Sequence, residues 1–326
     1  MRIVLLALLL CVSSARAQEV PAWFTETFLD FREDLEDATR EGRRLMVYFG
    51  QNGCPYCKQL MEVNFKQPAI VDKVQRNFVA LAINIWGDRE ITWMDERVMT
   101  EKEFAAMMKV QFTPTVLFFD ERGGVLLRMN GYYPPHRFEA ALDYVAGRME
   151  KKMRFSDYVQ ANPGEAAADK LADEPFFLKS PKDLRRKLGA KPLAVLFETV
   201  SCALCDEMHR EAFKRAEVLA EIEKFDVVRF TPSETMIMYP PAAKRRARLS
   251  DWARSLNVGY APTLVLFDTS GKEVFRIEAY VRPFHLAGAL EYVSSGAYKS
   301  EPSFQRFLQS KTESLLKRGS AVDLWN

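Results

Sequence analysis

The chain has almost no net charge: 46 Lys and Arg stand against 44 Asp and Glu, a formal +2 over 326 residues. That balance offers no electrostatic basis for binding nucleic acid or an anionic membrane surface. Long apolar runs are also missing. The one that stands out, Ile3–Val12, has ten residues, and spanning a bilayer takes about 20. Cysteine is scarce, with five in the chain. What is abundant is apolar residues, at 48%, which argues against wholesale disorder. The length suits about two domains of roughly 150 residues each.

The short apolar run reads as part of a signal peptide. Arg2 supplies the positive start, Ile3–Val12 the apolar stretch, and Ala15-Arg16-Ala17 the small-residue cleavage site, with Gln18 as the first mature residue. The alternative is a buried N-terminal helix or strand. Cys11 lies within the apolar stretch behind Leu8-Leu9-Leu10, where a lipid anchor would want small residues. Cleavage removes Arg2 and Arg16, which takes 46 basic residues to 44 and equals the 44 acidic ones. The exported chain then keeps four cysteines, Cys54, Cys57, Cys202 and Cys205. An oxidising compartment permits disulfides among them, and their grouping as two C-x-x-C units favours local pairing over the other arrangements.

The two units belong to a repeat. Adding 148 carries Cys54 and Cys57 onto Cys202 and Cys205, and Thr113-Pro114 onto Ala261-Pro262. The same offset matches Phe119-Asp120 with Phe267-Asp268, Gly123 with Gly271, Arg128 with Arg276, Tyr132 with Tyr280, and Tyr144-Val145 with Tyr292-Val293. A period of this size is a duplicated domain and not a solenoid. It divides the chain into a signal peptide (1–17), a first domain (18–160), a linker (161–175, with Pro163-Gly164) and a second domain (176–326).

Within the first half, Phe24, Phe28, Phe31, Leu35 and Ala38 follow helical spacing, and Leu45–Phe49 is a continuous apolar run that predicts a central strand. A helix is expected from Cys54 to about Phe65, and another from Pro68 to about Asn77. Phe78–Ile85 reads as a second strand. Thr100 with Glu103 is a capping box. Val116–Phe119 and Val125–Met129 flank a hairpin turn, and a helix closes the domain over Pro134–Lys151. The second half repeats this order. Ser180-Pro181 opens a helix ended by Gly189. Leu193–Phe197 is the central strand, Cys205–Phe213 begins a helix, and Asp226–Phe230 is a strand. Ser250–Leu256 is a helix, Thr263–Phe267 and Glu273–Ile277 form a hairpin, and Pro283–Ser294 and Ser303–Lys317 are helices.

Each C-x-x-C follows a buried strand and opens a helix, which puts the first sulfur near unsatisfied backbone N–H groups. That setting favours thiolate and lowers the pKa from about 8.5 into the range of about 3.5–7.5. Cys54 would then attack a disulfide and Cys57, one turn on, would resolve the mixed disulfide. Pro55 fits the first helical position. Two plainer readings compete. A zinc site using both pairs would need them close, but 144 residues lie between Cys57 and Cys202, far beyond the roughly 15–20 of zinc ribbons. A structural disulfide fits the second pair better than the first, because Ala203-Leu204 lacks the Pro. A docking role for that half is the other option.

Cys54-Pro55-Tyr56-Cys57 after a strand, with Thr113-Pro114 before a hairpin, resembles the thioredoxin superfamily over about residues 20–160, and again over 176–326. The resemblance implies an α/β fold of two tandem domains, each a central mixed sheet flanked by helices. It also implies that Pro114 and Pro262 are cis and face the Cys pairs, with Thr113 and Ala261, and Pro55 and Tyr56, beside the substrate path. More narrowly, Cys54–Phe65, Asn84–Glu90 and Phe112–Asp120 are similar to the periplasmic thioredoxins of bacterial sulfur-oxidation systems (the SoxW-like group). Tyr280–Ala297 and the closing Val322-Asp323-Leu324-Trp325 extend that likeness. It implies a periplasmic dithiol that receives electrons from a membrane thiol transporter and acts on protein or small-molecule disulfides, with no cofactor and no metal. Two departures matter. Thioredoxin proper has Gly-Pro between its cysteines and a buried Asp six residues before the first. Tyr48 and Leu196 stand at those six-back positions here. Electron flow can therefore run as a reductase, the preferred direction, or as an oxidase or isomerase, since such potentials span about −270 to −120 mV.

Other residues carry less. His209, one turn after Cys205, reads more readily as a surface or half-buried side chain than as one that tunes the thiol. His136 and His285 receive no chemistry. Trp86–Arg89 and Trp93 form a loop insertion, either a binding lip or loop packing. Lys244–Arg248 reads as a solvated helix face, with a docking patch as the alternative.

Overall fold

The computed structural model describes residues 20–161, 168–179, 181–187 and 189–319. The expected signal peptide, linker residues 162–167 and the closing 322–325 stretch lie outside the described residues.

The first domain begins with α1 (Phe31–Arg40), capped by the Asp30 side chain, which accepts from the N–H groups of Arg32 and Glu33. Its start is a correction to the apolar spacing, which runs from Phe24. Leu29 takes a left-handed φ of 60°, which breaks any helix before it. Phe28 is left exposed, and Phe24 turns to the other side of the sheet against Tyr48 and Phe65. Next come β1 (Arg44–Gly50), α2 (Pro55–Gln59), whose end widens into a π-helical turn over Leu60–Asn64, α3 (Pro68–Asn77) and β2 (Phe78–Asn84). A small ribbon, β3 (Glu90–Thr92) and β4 (Val98–Thr100), precedes α4 (Glu101–Met107), which starts on the expected Thr100/Glu103 capping box. The hairpin β5 (Thr115–Phe119) and β6 (Val125–Asn130), then α5 (Pro135–Ala146) and α6 (Phe155–Ala161), complete the domain.

The sheet runs β2-β1-β5-β6, with β1 and β2 parallel and the other pairs antiparallel. β1 is buried along its whole length, as a central strand covered on both faces must be. Its alternate side chains divide between two cores. Leu45, Val47 and Phe49 pack with Phe31 and Phe104, while Met46 and Tyr48 pack with Cys54, Cys57 and Phe65. The Cys pair thus sits at the end of β1 over one of those cores.

The second domain repeats the plan with β7 (Leu193–Phe197), α7 (Ala203–Arg210), α8 (Ala216–Ile222) and β8 (Asp226–Phe230). It continues with β9 (Ile237–Met238), β10 (Ala247–Arg248), α9 (Leu249–Ser255), β11 (Thr263–Phe267), β12 (Glu273–Ile277), α10 (Pro283–Ser294) and α11 (Phe304–Lys317). Its sheet runs β12-β11-β7-β8. Two expectations fail here. No helix forms between Pro181 and Lys187; instead Leu184 and Arg186 donate to Tyr239 and Pro241 carbonyls, and Asp183 bridges Tyr239. Leu184 is the only apolar residue of Lys182–Lys187, too few for a buried helical face, so the backbone groups pair with the neighbouring segment. Lys244–Arg248 is exposed turn and short strand, not a helix face. Ala247 and Arg248 instead pair antiparallel with Met238 and Ile237.

The domains meet through equivalent residues. Asn130 donates to Glu278 at 2.6 Å, a pair separated by the repeat offset of 148. Gly131 faces Ala279, the next pair in register. Phe112 enters the core of the second domain, with its ring 5.3 Å from Phe275 and 5.4 Å from Phe304. Its counterpart Tyr260 packs on the first, 4.8 Å from Tyr133. This reciprocity is that of an isologous dimer interface, here enclosed in one chain.

Candidate functional site

Cys54 and Cys57 are disulfide-bonded with Cα atoms 5.2 Å apart. Cys54 occupies the N-cap of α2, with Pro55 in the first turn, and its sulfur accepts the Cys57 N–H at 3.1 Å. The Thr113–Pro114 bond is cis, and the Thr113 hydroxyl donates to the same sulfur at 3.3 Å. Both donors favour negative charge on Cys54 once the disulfide opens. Cys54 keeps 8% exposure and Cys57 has none, so a partner can reach only Cys54.

Behind Thr113 lies a chain of hydrogen bonds that the sequence reading missed. The Trp86 indole donates to the Gln51 side-chain carbonyl at 2.6 Å, and the Gln51 amide donates to Thr113 Oγ1 at 3.0 Å and to Gln305 of α11 at 2.8 Å. The signal lies in topology. Gln51 follows β1 and Trp86 follows β2, and the carboxyl ends of adjacent parallel strands are where side chains converge on ligands. Trp86, read as a lip or as packing, is thus tied to the site.

The second domain forms the opposite wall. Arg282 donates its backbone N–H to the Tyr56 hydroxyl at 2.8 Å, and the His285 ring meets Tyr56 edge-on at 5.1 Å. The cleft between the two holds about 410 Å³ and is lined by Cys54, Trp86, Tyr132, Tyr280, Phe284 and others. Burial pushes the Tyr56 hydroxyl well above its ordinary pKa, Tyr280 up to about 12, and His285 down to about 4. These groups are therefore neutral near pH 7.

The second pair, Cys202–Cys205, also has Cα atoms 5.2 Å apart. Cys202 caps α7 and accepts the Cys205 N–H at 3.2 Å, and the Ala261–Pro262 bond is cis, with the Ala261 carbonyl 3.5 Å from the sulfur. Ala261 has no hydroxyl to offer. In addition, Ser201 donates to the Ala168 carbonyl and Ala168 donates to Asp206, each at 2.9 Å, so backbone from the expected linker is fastened to both flanks of this pair. The structure therefore gathers Cys54, Cys57, Pro55, Tyr56, Thr113 and Pro114 in one place, and Cys202, Cys205, Ala261 and Pro262 in another.

His209 is neither exposed nor half-buried, a correction to the sequence reading. It lies between two buried carboxylates, with Nδ1 3.0 Å from Glu174 and Nε2 3.0 Å from Glu198. Burial opposes charge on the ring, but Glu198 and then Glu174 outweigh it and raise the His209 pKa. Lys214 pairs with Glu174, and Arg229 stands 3.7 Å from Glu198. Among the described residues no group of His, Cys, Asp and Glu is placed to hold a metal, and no helix is long and apolar enough to cross a membrane.

The thioredoxin-like domain family matches residues 31–146 and again 185–294. The chain belongs to that family, as two thioredoxin-like domains in tandem, and it is a thiol–disulfide oxidoreductase with a C-x-x-C pair in each domain. The fold works by thiol–disulfide exchange, with proteins among its substrates. No curated protein matches the chain. Among solved structures, a thioredoxin-fold protein from Helicobacter pylori is 23% identical, over 37% of this chain and 80% of its own, with a TM-score of 0.33. A thioredoxin from Thermus thermophilus is 26% identical over 36% and 83%, with a TM-score of 0.29. A putative disulphide-isomerase from Bacteroides thetaiotaomicron is 24% identical over 43% and 98%, with a TM-score of 0.31.

Proposed function

We propose that the protein is an exported disulfide reductase of the periplasm, related to the SoxW-like thioredoxins, and that Cys54 is its principal nucleophile. The observation that carries this is the pair of donors on the Cys54 sulfur, Cys57 N–H and Thr113 O–H, beside a Cys57 with no exposure. In the reduced state the Cys54 thiolate attacks a disulfide R–S–S–R′ and forms Cys54–S–S–R. R′–S⁻ leaves and takes a proton from water. Cys57, as thiolate, attacks Cys54 Sγ, R–S⁻ leaves, and the Cys54–Cys57 disulfide closes. Two electrons pass from the dithiol to the substrate. A membrane thiol transporter, itself a dithiol, restores the reduced pair. Protein and small-molecule disulfides are the substrate classes, with Pro114 and Pro262 beside each pair and Pro55, Tyr56, Thr113 and Ala261 lining the approach. The mature chain starts after Ala17, with domains at 18–160 and 176–326 joined by 161–175. A docking role for the second domain is the alternative, favoured by the fastening of Ala168 across its Cys pair.

A Cys57→Ser variant tests the reading. It should trap substrates on Cys54 as mixed disulfides in the cell envelope. A variant found there only as free thiol would overturn it, and a predominantly oxidised wild-type pair would reverse the direction to oxidase.

A further inference from the structure

The Cys54 sulfur opens into a cleft shared by the two domains, and the second domain stands on the side from which an extended polypeptide would approach Thr113. Gln305 donates to the Gln111 carbonyl at 3.1 Å and accepts from Gln51 at 2.8 Å, and the Phe304 N–H donates to the Gln111 side chain at 3.4 Å. The first turn of α11 thus brackets the segment leading into Pro114. What remains is a space of about 410 Å³, the size of a site for a single small ligand, roughly 300–1,000 Å³. Its walls are aromatic and amide; Glu313 is the one charged residue lining it, Arg306 over the Trp86 ring balances that charge, and Lys311 over the Phe284 ring is paired with Glu291.

We propose that the Cys54 site prefers a low-molecular-weight, uncharged disulfide held between Trp86 and Phe284, and that the second domain slows its exchange with folded protein disulfides. This rests on the oxidoreductase reading and narrows its substrate. The exchange itself is unchanged: the small disulfide gains two electrons and leaves as two thiols, and the Cys54–Cys57 dithiol becomes the disulfide until an external dithiol reduces it.

The test uses the full chain, reduced with dithiothreitol and freed of it, in single turnovers against three disulfides. These are neutral 4,4′-dithiodipyridine, the dianion 5,5′-dithiobis(2-nitrobenzoate), and insulin followed by alkylation of released thiols. Each rate constant is divided by that of N-acetylcysteine at the same pH, which removes intrinsic reactivity. The neutral compound should exceed the dianion by about tenfold and insulin by about a hundredfold on this scale. Phe284→Ala should cut the advantage of the neutral compound by about fivefold. Thr312→Arg, on the cleft wall, should shift preference toward the dianion by about fivefold, whether or not Phe284→Ala folds. Equal relative rates for all three disulfides, or no change in preference with Thr312→Arg, would sink this inference and leave the oxidoreductase reading intact. No exchange with any of them by reduced Cys54 would sink both.

Discussion

The two Cys pairs share a frame and differ in their surroundings. Each sulfur caps a helix, accepts the N–H three residues on and faces a cis proline. Yet Cys54 has a hydroxyl donor backed by Gln51 and Trp86, and it opens to a cleft. Cys202 lacks that hydroxyl: the carbonyl before the cis proline lies against both sulfurs, Thr113 at 3.3 Å and Ala261 at 3.5 Å, and chain from the expected linker is fastened beside the second. Beneath the second pair, where the first domain has Met61, stands His209 between two carboxylates. Duplication fixed the backbone frame, which depends on hydrogen bonds that many sequences can make. The surroundings depend on single side chains and were free to diverge.

The largest expected effect separates the pairs by activity. Cys54→Ser should lower disulfide reduction by at least about a hundredfold, because the sulfur with the Thr113 hydroxyl donor and the open cleft is the one that starts the exchange. Cys202→Ser should lower it by no more than about threefold. Assay of both variants with one donor and one substrate decides it. The reverse order would show the ranking of sites to be wrong, and equal large losses would establish an obligatory relay through both pairs.

The next effect is on stability. His209→Leu leaves Glu174 and Glu198 buried with less counter-charge, and the second domain should lose about 3 kcal/mol. Met61→Leu at the equivalent place should cost less than about 1.5 kcal/mol. Chemical denaturation of each variant compares them, and similar small losses would remove the buried cluster as a difference between the halves. The same cluster sets a pH dependence. The folded-state pKa of His209 is raised, by Glu198 and Glu174 against the opposing effect of burial. Its contribution is therefore fully present below the unfolded value of about 6.5, and it fades as pH rises through the raised one. Thermal unfolding followed between about pH 6 and pH 9 should show the transition falling with pH in wild type and flatter in His209→Leu.

Much of this was legible in the sequence because it is periodic or local. The buried runs at Leu45–Phe49 and Leu193–Phe197, the Thr100 capping box, and the hairpins at Gly123 and Gly271 all form where their residues predict. The failures are non-local. Lys182–Lys187 becomes extended because residues near Tyr239, more than fifty positions away, take its N–H groups. The ion pairs of His209 come from Glu174, thirty-five positions before it, and from Glu198. The second-domain wall over Cys54 involves Gln51 and Gln305, 254 positions apart, and neither carries a motif. Spacing along a chain reports which face a residue takes on its own element, but not what another element brings to that face.

The smallest expected effect is also the most direct test of why the sites differ. A hydroxyl donating to a thiolate stabilises it over the thiol, and the reverse substitutions at two equivalent positions isolate that contribution. Thr113→Val keeps the branched shape and removes the donor, so the pKa of Cys54, expected below about 7.5, should rise by about 1. Ala261→Thr adds a donor near Cys202 and should lower its pKa by a similar or smaller amount, since Ala168 remains fastened alongside. Thiolate absorbance at the first pair is read in a Cys202→Ser/Cys205→Ser background, and at the second in the complementary one, so that each titration belongs to one site. If Thr113→Val leaves Cys54 unmoved, the Cys57 N–H alone sets its acidity. The asymmetry between the pairs would then be one of access and not of chemistry.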